Sequence, residues 1–370
     1  MLRLFSLITG LIWLTVNLGQ LVRIPLTQST IGLYLPDLLC LLLLLSWLLI
    51  VKPTWSQLKK RPLTKPILGF ALIALLSLFL AGFTFSVKEI FIAGLYLGRW
   101  LVYAGTYWVF CWLFQKEKKF KQLWPKLMLG GIFLFALLGL VQYFIWPDLR
   151  PLKLLSWDDH YFRLASTFLD PNFAGIWLFF GLVLALEILP WVLPVFYLAL
   201  ALTYSRGSYL GFVLGILYLA LAKKKLRIFV ITILVLAPTL VLLPRPGGEG
   251  VKLERSKSTL ARVSNWQESL ELALKKPIFG YGFNTLRYVK DEPVSHAGAG
   301  VDSSLLFVLL TSGLFGLTAY LFLLVKLWLN GGLVLKTSLL AVLIHSFFNN
   351  TLFYAPVMFW LWTLAAWEEN

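Results

Sequence analysis

The sequence predicts an all-α fold: a polytopic transmembrane helical bundle of about twelve spans, read as one integral membrane domain over residues 1–370. Three observations lead there. Hydrophobic residues make up 59% of the chain, well above the roughly 45–50% of a soluble domain. Apolar runs of span length recur along nearly the whole sequence. Basic residues collect in the short segments between alternate runs, as they do on the cytoplasmic side of membrane proteins. The alternating ~10-residue strands of a membrane β-barrel are absent.

Taken in order, the spans run 4–22, 31–51, 66–84, 90–114, 127–146, 172–187, 190–204, 208–222, 227–243, 303–325, 334–350 and 354–367. The first has the apolarity of a signal peptide but no small-residue cleavage motif, so it is read as a helix. The shorter spans tilt little or thin the bilayer locally. Lys52, Lys59, Lys60, Arg61 and Lys65 precede the third span. Lys116, Lys118, Lys119, Lys121 and Lys126 precede the fifth, and Lys223, Lys224, Lys225 and Arg227 the ninth. In a twelve-span count all of these fall on one side with Arg3, which the positive-inside rule makes cytoplasmic, with both termini there. The net charge of +16 is thus read as a topology signal and not as a nucleic-acid surface. The two cysteines, Cys40 and Cys111, lie inside apolar runs and suit neither a disulfide framework nor a zinc site.

Two long loops, 147–171 and 244–302, then face outward, and loops of such length are usually functional or disordered. In the second, Leu260, Val263, Trp266, Leu270, Ala273 and Leu274 recur at helical spacing. Ser258 or Thr259 is expected to cap that helix, Lys275, Lys276 and Pro277 to end it, and Gly280 with Gly282 to make a tight turn. The helix is expected on the membrane surface or on the bundle. Arg262 near its start is either a solvated side chain or an anion ligand beside free N–H groups. Asp302 opens the tenth span, either as an N-cap or as a carboxylate at a cavity mouth, with His296 upstream in a glycine-rich bend.

The first loop carries Asp158, Asp159, His160 and Arg163, and then Asp170–Pro171, which reads as a helix start. Arg206 lies in TYSRGSYLG, between two apolar runs. A charge at a bilayer centre costs about 2.5–3.5 kcal/mol. The residue is therefore placed at the outer end of a tight hairpin. In the eleventh span His345 and Asn349 are four residues apart and share a helix face, with Asn350 beside them. They are either interhelical glue or inward-facing functional groups. Arg99 within the fourth span is expected to be paired or interfacial, and Asp37 to cap the second.

TYSRGSYLG, ARVSNWQESLELALKKPIFGYGFNTL and DSSLLFVLLTSGLFGL, supported by FRLASTFLDPNFAG and HSFFNNTLFY, resemble the O-antigen ligase and polymerase family of bacterial envelope enzymes. The resemblance covers about 150–355. It implies a multi-span protein of the bacterial cytoplasmic (inner) membrane with a large extracytoplasmic loop. Its donor would be a polyprenyl-diphosphate-linked oligosaccharide, and its acceptor a glycan, a lipid or a protein. Family arginines hold the donor's diphosphate, which by motif implies Arg206 and Arg262 here. Ligases of the family usually carry a histidine–asparagine pair where this chain has Asp302 and Ser303, a departure that weakens transfer to lipid A in particular.

The expected reaction is metal-independent glycosyl transfer at the outer face, without a cofactor or nucleic acid. An acceptor hydroxyl attacks the anomeric carbon and the lipid diphosphate leaves. Guanidinium forks suit phosphate oxygens, hence Arg206, Arg262 and, third, Arg163. The base is expected to be Asp302 or else His296, with His345, Asn349 and Asn350 in support. The alternative is a transporter or flippase for the same lipid-linked glycan, which calls for internal repeats and a midplane site; neither is visible in the sequence.

Overall fold

The computed structural model describes residues 1–25, 32–155, 157–290 and 300–369. The helices are α1 Leu2–Leu18, α2 Leu35–Val51, α3 Trp55–Leu58, α4 Thr64–Ala81, α5 Val87–Lys116, α6 Lys118–Ile145, α7 Pro171–Ile188 and α8 Leu193–Ala201. They continue with α9 Arg206–Ala222, α10 Arg227–Leu242, α11 Lys257–Lys275, α12 Leu286–Val289, α13 Ser304–Asn330, α14 Leu333–His345 and α15 Ala355–Glu368. A helix fills most of every expected span. By length and composition, five are long and apolar enough to cross a membrane: Leu2–Val22, Thr64–Ala81, Lys118–Ile145, Pro171–Ile188 and Ser304–Asn330. Shorter apolar helices stand at Leu35–Val51, Pro190–Ala201, Arg206–Ala222, Arg227–Leu242 and Leu333–His345.

Several sequence boundaries differ: α13 runs on to Asn330, and α14 ends at His345, so Asn349 follows the helix and does not share a helix face with His345. The second span starts at Leu35, because Gly32–Tyr34 (β2) pairs antiparallel with Arg23–Pro25 (β1), with Arg23 opposite Tyr34. The basic segment between the fourth and fifth spans is helical on both sides of Glu117, since Lys and Gln are good helix formers. Pro125 inside α6 has no N–H to give to the Lys121 carbonyl. The indole Nε1 of Trp367 donates to that carbonyl instead, at 3.2 Å.

Among the described residues, the most enclosed of these five long apolar helices is α7, whose apolar window is 72% buried. Phe180 stacks on Trp360 of α15 with centroids 4.7 Å apart, and Trp177 meets the same indole edge-on. Around this centre α5 packs on α15, α4 on α13, and α9 on α14. The two ends of the bundle differ in chemistry. At one end the basic segments meet the C-terminal acids. Arg61 pairs with Glu369 at 2.7 Å, the Tyr107 hydroxyl donates to the same carboxylate, and Glu368 accepts from the Val334 and Leu335 amides at 3.1 Å. At the other end gather the α1–α2 ribbon, the segment after α6 and the segments flanking α11.

That second end is spliced into the membrane helices. Gly313 breaks α13 with φ 64° and ψ −165°, which frees the carbonyls of Leu310 and Thr311. Tyr281 and Gly282 donate their amides to those two carbonyls at 2.8 and 3.1 Å, and Leu314 N donates to Pro277 O at 2.8 Å. Gly280 and Gly282 have φ of 68° and 108°, so the tight turn expected there is present.

Helix α11 is amphipathic, but most of its leucines point away from the bundle. Leu260, Leu270 and Leu274 are 66%, 49% and 80% exposed. Its inward face carries Arg262, Trp266, Ser269 and Ala273. The Trp266 indole donates to Asp302 O at 3.0 Å, and Ser269 is fully buried. The helix starts after Ser256, two residues before Ser258, and Ser256 makes no side-chain cap bond; the hydroxyls of Ser258 and Thr259 accept from Arg206 instead.

Candidate functional site

The hairpin between α8 and α9 is held from behind by arginines. Tyr204 takes φ 50°, and Ser205 caps α9 by accepting from Ser208 N. Arg163, 5% exposed, donates from Nε to Thr203 O at 2.9 Å and from Nη2 toward Asn172 Oδ1 at 3.3 Å. Arg255 reaches Tyr204 O at 3.2 Å and the carbonyls of Gly250 and Lys252 at 2.8 and 2.7 Å. Arg206 donates to Arg255 O, Ser258 Oγ and Thr259 Oγ1 at 2.8, 2.8 and 3.0 Å, and more weakly to Leu253 O at 3.3 Å. The hairpin arginine therefore clasps the first turn of α11.

One turn further along α11, Arg262 donates through Nε to Phe348 O at 3.1 Å, and its guanidinium lies 5.8 Å from the Phe348 ring centroid. It lines a cavity of about 560 Å³ whose walls come from helix ends and connecting segments at this end of the bundle. Asp302 lines the same cavity. Its backbone is fixed on both sides, N–H to Asn265 Oδ1 at 3.0 Å and C=O from Trp266. The N-cap of α13 is Ser303, whose hydroxyl accepts from Leu306 N. The capping reading of Asp302 is thereby replaced, and its carboxylate is left to the cavity. Asp170 does cap: Oδ1 accepts from Asn172 N at 2.6 Å and Phe173 N at 3.3 Å.

The link from α14 to α15 supplies Asn349 and Asn350 to the cavity wall. His345, fully buried, stands behind them. Its Nδ1 is 2.6 Å from Thr351 Oγ1, and its Nε2 accepts from the Asn349 amide at 3.4 Å. His345 thus orients Asn349 without lining the cavity. Of the expected site residues, Asp302, Arg262, Asn349 and Asn350 share one cavity, while Arg206, Arg163 and His345 brace it. His296 lies outside the described residues.

Sequence reasoning missed the opposite wall. Arg99, expected from the sequence to be paired or interfacial, pairs with Asp37 at 2.8 Å and donates to Gly32 O at 2.7 Å. Arg287, buried, and Arg99 both lie against Tyr96, each guanidinium 5.3 Å from that ring, and all three line the cavity. The signal for Arg99 was its position in a span; for Arg287 nothing local marked it. Asp37 does cap α2, accepting from Tyr34 N at 3.1 Å.

The charge at this end is strongly positive and poorly compensated. Burial, and then the charge of Arg255, brings Arg163 down to about 9. Burial and then Arg206 bring Arg255 down to about 10. Arg262 is also lowered by burial, an effect that Asp302 opposes and Arg206 reinforces. All three stay charged at neutral pH, but their mutual repulsion makes the site receptive to an anion. Burial raises the Asp302 carboxyl above its usual range, with Arg262 working in the opposite direction.

No curated protein matches the chain. The family model described as O-antigen ligase matches residues 191–321, a stretch that holds both Arg206 and Arg262 as well as Asp302.

Proposed function

We propose that the protein transfers a glycan from a polyprenyl-diphosphate carrier to an acceptor hydroxyl at the outer face of a bacterial cytoplasmic membrane. The observation that carries the reading is that Arg262 and Asp302, a charged donor and a carboxylate with no capping duty, face one cavity. In this reading the chain crosses the membrane about twelve times with both termini inside. The segment 244–302 and the cavity then lie outside, opposite the lysine-rich end.

The acceptor oxygen attacks the anomeric carbon and the bond to the diphosphate breaks. Arg262 stabilises the negative charge that grows on the leaving oxygen, in a half-buried position where such a charge-assisted bond is strong. Arg206 and Arg163 act through position: the first holds the turn of α11 that carries Arg262, the second holds the hairpin that carries Arg206. Asp302 takes the hydroxyl proton; its raised affinity for protons suits that role. His296 is the second candidate for the base. Asn349 and Asn350, steadied by His345, offer neutral hydrogen bonds to sugar hydroxyls. A flippase would want its charges at the midplane, whereas these come from helix ends and loops.

The test is turnover of lipid-linked oligosaccharide by purified protein, read as release of polyprenyl diphosphate. Arg262→Ala should lower the rate by about 10²–10³-fold, far more than the small fall in melting temperature expected from losing its bond to Phe348 O. Retained turnover would remove the proposed phosphate contact.

A further inference from the structure

We propose that Asp158, His160 and Asp170 form a divalent-cation site at the rim of this cavity, suited to manganese or zinc. The three residues come from the connection between α6 and α7, and each has a potential ligand atom within 4.8 Å of the others. All three line the cavity. Proximity of acids alone would mean little. The second observation is His160: the residue is 8% exposed, and its Nε2 is buried without a hydrogen-bond partner among the described residues. A buried imidazole nitrogen without a partner costs free energy, and a metal ion is one ligand that relieves that cost.

The donor set fits. Asp170 commits Oδ1 to capping α7, leaving its other carboxylate oxygen for a cation. Asp158 is exposed and can move; around a metal, ligand atoms about 2.0–2.2 Å from the ion lie roughly 3–4 Å apart, so a shift of about 1 Å closes the set. The imidazole must be neutral to ligate. Two oxygens and one imidazole suit Mn²⁺ or Zn²⁺ better than an all-oxygen ion. Arg163 faces both His160 and Asp170, and Arg262 also acts on Asp170, so a bare cation is held weakly. Three protein ligands leave coordination positions open, and a diphosphate is their natural occupant beside Arg262. That last step rests on the transferase reading and departs from the metal-free expectation; the cation site itself rests on neither.

The experiment is titration of Mn²⁺ into the chelator-stripped full-length protein in detergent, without any lipid donor, followed by electron paramagnetic resonance. One Mn²⁺ per chain is expected, displaced by Zn²⁺. His160→Ala and Asp158→Asn should each raise the dissociation constant at least about tenfold, and Asp159→Asn, which pairs with Lys153 at 3.8 Å, should not. Equal melting temperatures among the variants show that the fold survives. Absence of bound Mn²⁺ at millimolar concentration, or binding indifferent to His160→Ala, overturns the site. If transfer proceeds unchanged in EDTA while Mn²⁺ still binds, the site stands and its link to the diphosphate falls.

Discussion

Replacing Arg206 by alanine should loosen α11 from the hairpin before it affects anything else. The guanidinium makes three good bonds, at 2.8, 2.8 and 3.0 Å, and one weak one at 3.3 Å. Bonds to a charged donor contribute about 1.5–3 kcal/mol each in isolation, but four acceptors share a single cation, and water replaces part of the loss. A net of about 3–4 kcal/mol is reasonable for the set, which is a factor of about 150–900 in the local opening equilibrium. Hydrogen exchange read by mass spectrometry is the assay. Amides of 253–266 should exchange faster by about two orders of magnitude, while those of α7 and α15 keep their protection. Turnover falls at the same time, because Arg262 rides on that turn. Arg206→Lys, with one ammonium for four acceptors, should restore only part of the protection. Unchanged exchange over 253–266 alongside lost turnover would refute the bracing role and return Arg206 to direct contact with the donor.

Three further outcomes follow from the same geometry. Burial raises the Asp302 pKa, so as a base it is ionised only above its raised value; kcat/KM should climb with pH through an acidic limb set above the usual carboxylate range, Asp302→Asn should abolish that limb, and Arg262→Ala, which removes the opposing charge, should move any residual limb further up. Gly313→Ala puts a side chain on a backbone at φ 64° and against Ile278 O, so it should cost about 1–3 kcal/mol from conformation alone and lower the melting temperature, checked by thermal unfolding in detergent. Glu271→Cys on α11 should react with an impermeant maleimide added to whole cells and Lys60→Cys only after permeabilisation, with native Cys40 and Cys111 silent because they are buried; the reverse pattern would invert the proposed topology.

Helix positions were legible because apolar length and punctuation agree. The turn at Gly280 and Gly282 was legible for the same reason, since two glycines after Pro277 leave the chain few other courses. The start of α13 was harder. Asp302 and Ser303 are both good caps, and local sequence cannot choose between neighbours. What decides is that Asn265 and Trp266 of α11 bind the Asp302 backbone, leaving the next residue to cap. The direction of α11 was also hidden. Its leucines do mark a stripe, but in a membrane protein an apolar stripe can face lipid, and the inward face is then the polar and small one. Arg287 could not have been found from spacing, because its neighbours in the cavity are Tyr96 and Arg99, nearly two hundred residues earlier.

The arrangement explains why the arginine-rich end tolerates so much like charge. In a soluble protein Arg163, Arg206, Arg255 and Arg262 would each seek a carboxylate. Here they spend most of their donors on backbone carbonyls of Thr203, Arg255, Gly250 and Phe348, which satisfies hydrogen bonds without neutralising charge. The fold is therefore held while the field stays positive. Removing Arg262 should weaken binding of an anionic donor more at low than at high salt, since ions in solution screen the attraction of its own charge for the donor. Substituting Arg163 by methionine, similar in length but neutral, gives the contrasting case. It leaves Thr203 O without its 2.9 Å donor and should cost about 1–3 kcal/mol of stability, with little salt dependence.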